Sequence, residues 1–197
     1  MKPNNAIPIM SNVLTYVDAD LARQIATGLI GSEVRLAARE GTAFGINFKV
    51  LVRRDRGVEQ STTTKVSDLL PEVVADAVNE AVLERITSLQ NDRERFIAGG
   101  TRAFRPGTPV AISNAQFILD GKLGKSVLGG EPCVQYRFQV GQFYLHAYCP
   151  MAAEKVFDSL VGQPVEVVGI LRYTPAYTVP GALALSLGLR VCAVWLT

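Results

Sequence analysis

The sequence predicts an α+β protein in which an N-terminal region of helices and strands precedes a C-terminal region that is mostly strand. Two observations lead to this prediction. Apolar residues recur at helical spacing in two segments before residue 90, whereas they alternate with polar residues in most segments after residue 106. The pair Gly99-Gly100 and the turn Arg105-Pro106-Gly107 separate these segments. We therefore divide the chain into an N-terminal region, 1–105, with a long helix near 70–90, and a C-terminal region, 106–197.

Length and composition restrict the classes to which the protein can belong. A chain of 197 residues that is 48% hydrophobic can bury a conventional core without disulfides or metals. Its net charge of +2 falls well short of the cationic excess of tight nonspecific nucleic-acid binders. Because no apolar run approaches about 18 residues and prolines and asparagines interrupt the N-terminus, we expect a cytoplasmic protein without a membrane span.

The first part of the N-terminal region contains one predicted helix and two or three predicted strands. The helix is short, with Asp18 as its cap and with Gly28 and Gly31 marking its end. Residues 32–40 suit a strand or a helix equally well. Residues 44–52 alternate more clearly as a strand, and the polar run 60–64 is either a loop or an edge strand.

A long helix is predicted to begin at Leu70 or Pro71, with Ser67 as its candidate cap, and to reach Leu89 or beyond. Its apolar residues form a wider surface than one short helix and a hairpin can cover, so we expect the N-terminal region to self-associate. Acidic residues at i, i+4 spacing form a stripe that is either a solvated face or a docking surface for arginines or another subunit: Glu72, Asp76, Glu80 and Glu84.

The clearest pattern in the C-terminal region is a β-hairpin between Cys133 and Cys149. Alternation gives two strands, and Gly141-Gln142 has its glycine first, as a type II′ turn requires. A two-residue loop fixes the register, so that one face of the hairpin is apolar throughout. The pairs predicted on that face are Val140 with Phe143, Phe138 with Leu145, Tyr136 with Ala147, and Val134 with Cys149.

The opposite face of the hairpin, called the outer face below, carries rings, amides and one fixed cation. Its predicted pairs are Gln139 with Tyr144, Arg137 with His146, and Gln135 with Tyr148. With Lys122 and Lys125 from the preceding glycine-rich stretch, these six residues form the predicted ligand-binding set. The alternative is that the N-terminal region covers this face.

The predicted elements after residue 106 follow the order β-β-β-α-β-β. The strands are expected at 109–119, 133–140, 143–148, 164–173 and 182–196, and the helix at 150–160. This order, together with the pattern Gly-x-x-Val-x-Val-x-Gly-x-Leu over 162–171, resembles the OB-fold, a small Greek-key barrel. The resemblance implies that Gly169 lets the fourth strand bend sharply and that the loop between the first two strands is a ligand clamp.

The N-terminal region resembles a bacterial family known only as a domain of unknown function. The shared features are Tyr16-Val17-Asp18 before a helix, a charged strand region, and a Leu-Pro opening of a second helix. The resemblance implies a bacterial source and no particular activity.

The motifs that could carry chemistry are few. Gly121 to Ser126 ends like a phosphate-binding loop, but Leu119 stands where that motif needs a glycine, so a flexible hairpin loop is predicted. His146 is the only histidine, and the three cysteines are too widely spaced for a disulfide framework or a C-x-x-C site. We therefore predict core cysteines, no metal and no cofactor, while carboxylate pairs keep an enzymatic activity open.

Two functions remain in competition. The first is a noncatalytic regulatory or scaffolding protein that acts through self-association and contacts with a partner protein. The second is single-stranded nucleic-acid binding, in which tyrosines of the outer face stack on bases while Arg137, His146 and the two lysines meet the backbone. The balanced charge favours the first function, and the residue types of the outer face favour the second.

Overall fold

The computed structural model describes residues 12–39, 47–51, 61–86, 107–140, 143–174 and 186–197. Its α-helices are α1 (Ala19–Ile30), α2 (Pro71–Ala81) and α3 (Glu154–Leu160), and short 3-10 helices span Val66–Asp68 and Met151–Ala153. Its strands are β1 (Val13–Val17), β2 (Glu33–Arg39), β3 (Asn47–Leu51), β4 (Ser61–Lys65), β5 (Glu84–Ile86), β6 (Pro109–Leu128), β7 (Glu131–Val140), β8 (Phe143–Pro150), β9 (Pro164–Thr174) and β10 (Ser186–Leu196). The predicted α+β class is confirmed.

Five strands of the main sheet form a closed ring of hydrogen bonds. Around the ring β6 pairs with β7, β7 with β8, β8 with β10, β10 with β9, and β9 with β6. The β8–β10 pair is parallel and the other pairs of the ring are antiparallel. β1 lies antiparallel beside β10, and β5 lies parallel beside β6. A ring of this kind is compatible with a barrel-like fold.

The β7–β8 hairpin has the register that its sequence predicts. Every predicted pair is observed, from Val140 with Phe143 to Val134 with Cys149, whereas the predicted turn at 141–142 lies outside the described residues. Because alternate side chains of a strand point to opposite sides, this register determines which residues lie on each face of the hairpin. The buried residues of the apolar face are Val134, Tyr136, Phe138, Val140, Leu145, Ala147 and Cys149.

A first hydrophobic cluster lines the inner side of the ring and joins it to α3. Phe157 of α3 lies 5.6 Å from the ring of Phe117 and 6.1 Å from that of Tyr136, measured between centroids. Phe117 also packs against Phe138 at 4.9 Å. These tilted and edge-to-face contacts, with the buried Leu160, fix the helix between β8 and β9 against the core.

A second cluster forms where α1 and α2 pack against the outer side of the ring. The strand residues that meet the helices are Ala111, Val168, Ile170, Cys192, Ala193 and Trp195. Asp18 caps α1, as its sequence predicts: its Oδ1 accepts a hydrogen bond of 3.0 Å from the Leu21 N–H. The N–H of Asp18 also donates to the Cys192 carbonyl at 2.7 Å, which ties the start of α1 to β10.

Helix α2 begins at Pro71, as predicted, but it ends at Ala81 rather than near Leu89. Val82 and Ile86 continue the helical spacing in the sequence, yet both are buried outside the helix. Val82 is its extended C-cap residue, and Ile86 lies in β5, which pairs with β6 and places Ile86 beside Ile112. Ser67 does not cap the helix, whose N-cap residue is Leu70.

The apolar side of α2 is covered within the chain. Its buried residues, among them Val74 and Val78, pack against α1 and the ring. The stripe of carboxylates is shorter than predicted, since Glu84 belongs to β5. Self-association through this helix was predicted from a wide uncovered apolar surface, and the packing of α2 within the chain removes that reason.

The remaining strands form a separate three-stranded sheet in the order β3-β2-β4. The ambiguous segment 32–40 is a strand over Glu33–Arg39, and the polar run is the edge strand Ser61–Lys65. The strand predicted at 44–52 is observed over Asn47–Leu51, and its other residues lie outside the described ones. For segment 32–40, the alternation of apolar and polar residues therefore indicated the correct structure, a strand.

The first strand of the C-terminal region is longer than predicted. β6 continues from Pro109 to Leu128 through the glycine-rich stretch that was expected to be a flexible loop. The turn to β7 is instead Gly129-Gly130, where both residues have positive φ, at 61° and 88°. The division of the chain at residue 106 stays a prediction. No helix in the described part of the chain is long and apolar enough to cross a membrane.

Gly169 of β9 lies close against β10, without room for a side chain. A Cβ on this residue would lie 2.8 Å from Leu189 Cδ1 and closer still to the carbonyl oxygen of Arg190. Because β10 also shifts register after Val191, the strands cannot separate here without loss of the ladder. Glycine is therefore required for packing at this position.

We expect Gly169→Ala to lower the free energy of unfolding by about 1–3 kcal/mol or more, because the new methyl group meets backbone that cannot move cheaply. Urea denaturation measures the change. Gly28→Ala is the matched control: nothing lies within 4 Å of the added atom, and alanine favours the α1 helix by about 0.5–1 kcal/mol. A Gly169→Ala protein as stable as the wild type would contradict the close approach.

Candidate functional site

The outer face of the hairpin is organised as three rows of residues that cross neighbouring strands. The middle row joins Arg137 of β7 to His146 of β8, and the flanking rows join Gln139 to Tyr144 and Gln135 to Tyr148. Adjacent strands extend these rows: Gly124 of β6 pairs with Gln135, Gly188 of β10 with His146, and Arg190 with Tyr148. Six of the eight candidate residues predicted from the sequence therefore occupy strand positions on the same face of the hairpin.

The six residues differ in how far they reach solvent. Arg137 is exposed, and Gln135, Gln139 and His146 are half-buried. Tyr148 is only 4% exposed, so it is not the open stacking surface that the sequence suggested. Of Tyr144 the strand position is described and the side chain is not.

The side chain of Tyr148 is buried beneath Arg190 and the β6–β7 turn. It lines a small cleft with Leu128, Glu131, Pro132, Cys133, Pro150 and Arg190. Arg190 spans this cleft, with its Nη2 at 2.7 Å from Glu131 Oε2 and 3.9 Å from Asp18 Oδ2. The ion pair joins β10 to the β6–β7 turn. The positive charge of Arg190, at the border of the outer face, is therefore balanced by Glu131.

Lys122 does not belong to the outer face. Its Nζ lies 2.6 Å from Glu154 Oε1 and 3.0 Å from Asp158 Oδ2, both on α3. The hydroxyl of Tyr136 donates to Asp158 Oδ1 at 2.8 Å. Lys122 and Tyr136 therefore both attach α3 to the strands of the ring. These two hydrogen bonds, that of Lys122 first, lower the pKa of the Asp158 carboxyl.

Lys125 is also directed away from the outer face. It is exposed, but it pairs with Val134, whose side chain belongs to the inner side of the sheet, while Gly124 and Gln135 share the outer side. Neither lysine therefore joins Arg137. The sequence could not separate the two lysines from the outer face, because β6 shifts register twice between Phe117 and Gly124.

The middle row has glycines on both sides, a feature that the sequence analysis missed. A Cβ on Gly121 would lie 3.0 Å from Arg137 Cβ and 2.9 Å from the Ile118 carbonyl oxygen. Gly188 is the partner of His146 on β10. Beyond Gly188 the same row reaches the exposed Arg172 of β9.

The charge of His146 depends on this position. Burial lowers the pKa of its imidazole below the ordinary value of 6.5, and the nearby Arg137 cation lowers it further. At neutral pH the imidazole is therefore neutral beside the Arg137 cation, and the two side chains together offer hydrogen-bond donors and an acceptor.

The cysteines have the inert character predicted for them. All three are free and buried, and burial raises the pKa of each thiol, that of Cys192 to about 12. Within the described ranges no group of three or more histidines, cysteines and carboxylates is placed to hold a metal ion.

Comparison of the chain with protein-family models, curated proteins and solved structures gives no match. No family model therefore supports the resemblance of the N-terminal region to a bacterial family.

The burial of Tyr148 leads to a prediction about stability. We expect Tyr148→Ala to lower the free energy of unfolding by about 3–5 kcal/mol, as other large-to-small changes of buried rings do. Tyr148→Phe keeps the ring and should cost less than about 1.5 kcal/mol. Urea denaturation of both variants separates the effects, and a Tyr148→Ala protein of wild-type stability would show that the ring is not packed.

The lowered pKa of His146 leads to a prediction about pH. Between this pKa and 6.5 the unfolded chain binds more protons than the folded one, so the histidine's contribution to stability is complete above 6.5 and declines as the pH falls. Because the chain has one histidine, its NMR titration is unambiguous.

In the same titration Arg137→Gln should raise the pKa of His146, since it removes the second cause of the shift. Lys125→Gln, on the other side of the sheet, should leave it unchanged. A wild-type value at or above 6.5 would overturn the assignment.

Proposed function

We propose that this protein is a noncatalytic binding protein, regulatory or scaffolding in role, and that it contacts a partner protein through the outer face of the β7–β8 hairpin. The observation that supports the proposal is a contrast between two sides of the ring. Helices α1 and α2 cover part of the outer side of β9, β10 and the start of β6, and the strand residues that pack against them are apolar. On β7 the outward Arg137 is exposed.

The strand pairing supports an OB-type barrel as the framework of this surface. The first strand of the ring, β6, pairs with the second and the fourth, and the third and fifth, β8 and β10, are parallel neighbours. Helix α3 lies between the third and fourth strands in the chain, as in OB-folds. In that fold the second and third strands present the ligand face, and here these strands are β7 and β8.

The charges around the outer face favour a protein partner. Arg190 is paired with Glu131, and Lys122 with two carboxylates of α3. Arg137 and Arg172 are the exposed arginines in line with His146. A surface that follows several phosphates needs more cations than this. An exposed arginine beside the half-buried amides of Gln135 and Gln139 is instead typical of protein interfaces.

Single-stranded nucleic acid is the second candidate. The observation that favours it is the position of the outer face on the two strands with which OB-folds commonly bind oligonucleotides. Self-association stays a prediction without an assigned surface, because the apolar side of α2 is internal.

Site-specific crosslinking tests the proposal and separates the two candidates. We expect p-benzoylphenylalanine in place of Gln139 to crosslink a protein in cells that produce the chain naturally, because position 139 lies in the row beside Arg137. Mass spectrometry and nuclease treatment distinguish a protein adduct from a nucleic-acid adduct. The same probe at the exposed Lys155, on α3, is the control.

Arg137→Ala should reduce the yield from position 139 and leave the yield from position 155 unchanged. Adducts with nucleic acid alone would replace the first candidate with the second. Equal yields from both positions would overturn the outer face as the contact surface.

A further inference from the structure

The three-stranded sheet has a charged face and an uncharged face, and both follow from its register. Each ladder pairs odd-numbered residues with odd-numbered ones, as Arg35 pairs with Leu51 on β3 and with Thr63 on β4. Because alternate residues of a strand belong to opposite sides, the odd-numbered residues of all three strands share one face, called the odd face below. The even-numbered residues of these strands carry no charge. The charged residues of the odd face are Glu33, Arg35, Arg39, Lys49 and Lys65.

The odd face concentrates positive charge that the composition of the chain conceals. Its four cations and one carboxylate give +3, whereas the whole chain has a net charge of +2. The residues that connect these strands, 40–46 and 52–60, contain three arginines and three carboxylates, so they leave this balance unchanged. A small overall charge is therefore compatible with a local surface for an anionic ligand.

The four cations form a line along β2. On the β4 side Lys65 is the diagonal neighbour of Arg35, and on the β3 side Lys49 is diagonal to both Arg35 and Arg39. Diagonal neighbours of this kind are about 7–8 Å apart. In the order Lys65, Arg35, Lys49, Arg39, one cation therefore follows another at each such step, along a strand about 20 Å long.

The odd face is directed away from the helices. On β4 Thr63 and Lys65 are exposed, whereas Thr64 between them is half-buried, and Glu33 of β2 is exposed as well. Val66, which follows β4, is buried in the second hydrophobic cluster together with residues of α1 and α2. These helices, including the carboxylates of α2, therefore lie behind the sheet as seen from the odd face.

We propose that the odd face of the β3-β2-β4 sheet binds the sugar-phosphate backbone of a nucleic acid without reading its sequence. The four cations each neutralise a phosphate, and the hydroxyl of the exposed Thr63 donates to a phosphate oxygen beside them. This binding activity lies on a different surface from the outer face of the hairpin, and it does not depend on the proposed function.

A nucleic acid suits this line better than a protein partner does. Protein interfaces are held at their centre by buried aromatic or apolar anchors. Among the strand positions of the odd face only Ala37 and Leu51 are apolar, and none is aromatic. Phosphates recur along a nucleic-acid strand with one charge each, so successive units of the ligand can meet successive cations of the line. Because no ring is available to stack on a base, the binding is independent of sequence.

The salt dependence of binding tests this inference on the intact protein, by fluorescence anisotropy with labelled oligothymidylate and with a short DNA duplex. Four neutralised phosphates give slopes of log affinity against log salt of about −2.8 for the single strand and about −3.6 for the duplex. Between about 50 and 200 mM salt the affinity should therefore fall roughly 50-fold and roughly 150-fold, respectively.

Charge-removing variants locate the binding surface. Arg35→Gln and Lys49→Gln should each reduce the steepness of the single-strand slope by about 0.7, since each removes one phosphate contact. Lys49→Arg keeps the charge and should keep the slope. Lys125→Gln is the matched control on β6 and should bind like the wild type at every salt concentration.

Glu33→Gln gives a readout that a loss of folding would not produce. It removes the one carboxylate among the strand positions of the odd face. We therefore expect it to tighten binding of both probes about two- to fivefold at low salt. Unchanged or weaker binding by this variant would contradict a phosphate track beside residue 33.

A slope reduced by Arg137→Gln, and by neither Arg35→Gln nor Lys49→Gln, would place the nucleic acid on the outer face and overturn the inference. A glutamate-rich peptide that displaces oligothymidylate at equal concentration of charge would overturn it in favour of an acidic protein segment. No binding of either nucleic-acid probe at low salt would overturn it altogether.

Discussion

The pairing of β9 with two strands is the constraint on which the rest of the structure depends. One edge of β9 binds β10 and the other binds β6, so that the open row β6–β7–β8–β10 becomes a ring. Gly169 lies where the two ladders meet, because its partners are Val110 on β6 and Val191 on β10. A side chain there would hold the β9 and β10 backbones apart, so closure of the ring depends on the absence of a Cβ.

Closure gives each strand an inner and an outer side, and the amino-acid patterns follow that division. β9 and β10 carry apolar residues on both sides, as the neighbours Val167 and Val168 illustrate: the first belongs to the inner cluster and the second meets α1 and α2. β7 instead alternates apolar with polar residues, which is the pattern of a strand with one side open. The covered and open parts of the ring are thus encoded in the strands themselves.

Features set by neighbouring residues could be predicted from the sequence, whereas features set by distant strands could not. The hairpin register follows from a two-residue turn, and the cap of α1 follows from Asp18 alone. The predicted end of α2 was wrong because Val82 and Ile86 have a spacing that suits a helix. Ile86 belongs instead to β5, which pairs with β6 more than twenty residues further along the chain. The burial of Tyr148 likewise depends on Arg190, which comes from the last strand.

The same distinction applies to charge. In the sequence Lys122, Arg137 and Arg190 are equivalent cations, but tertiary contacts pair the first with α3 and the last with Glu131. The charge of His146 is likewise set by its surroundings: burial lowers the pKa of its imidazole, and the Arg137 cation opposite it on β7 lowers that pKa further. Both causes arise from the packing of strands around the residue, so the protonation of this histidine is a property of the folded sheet and not of the local sequence.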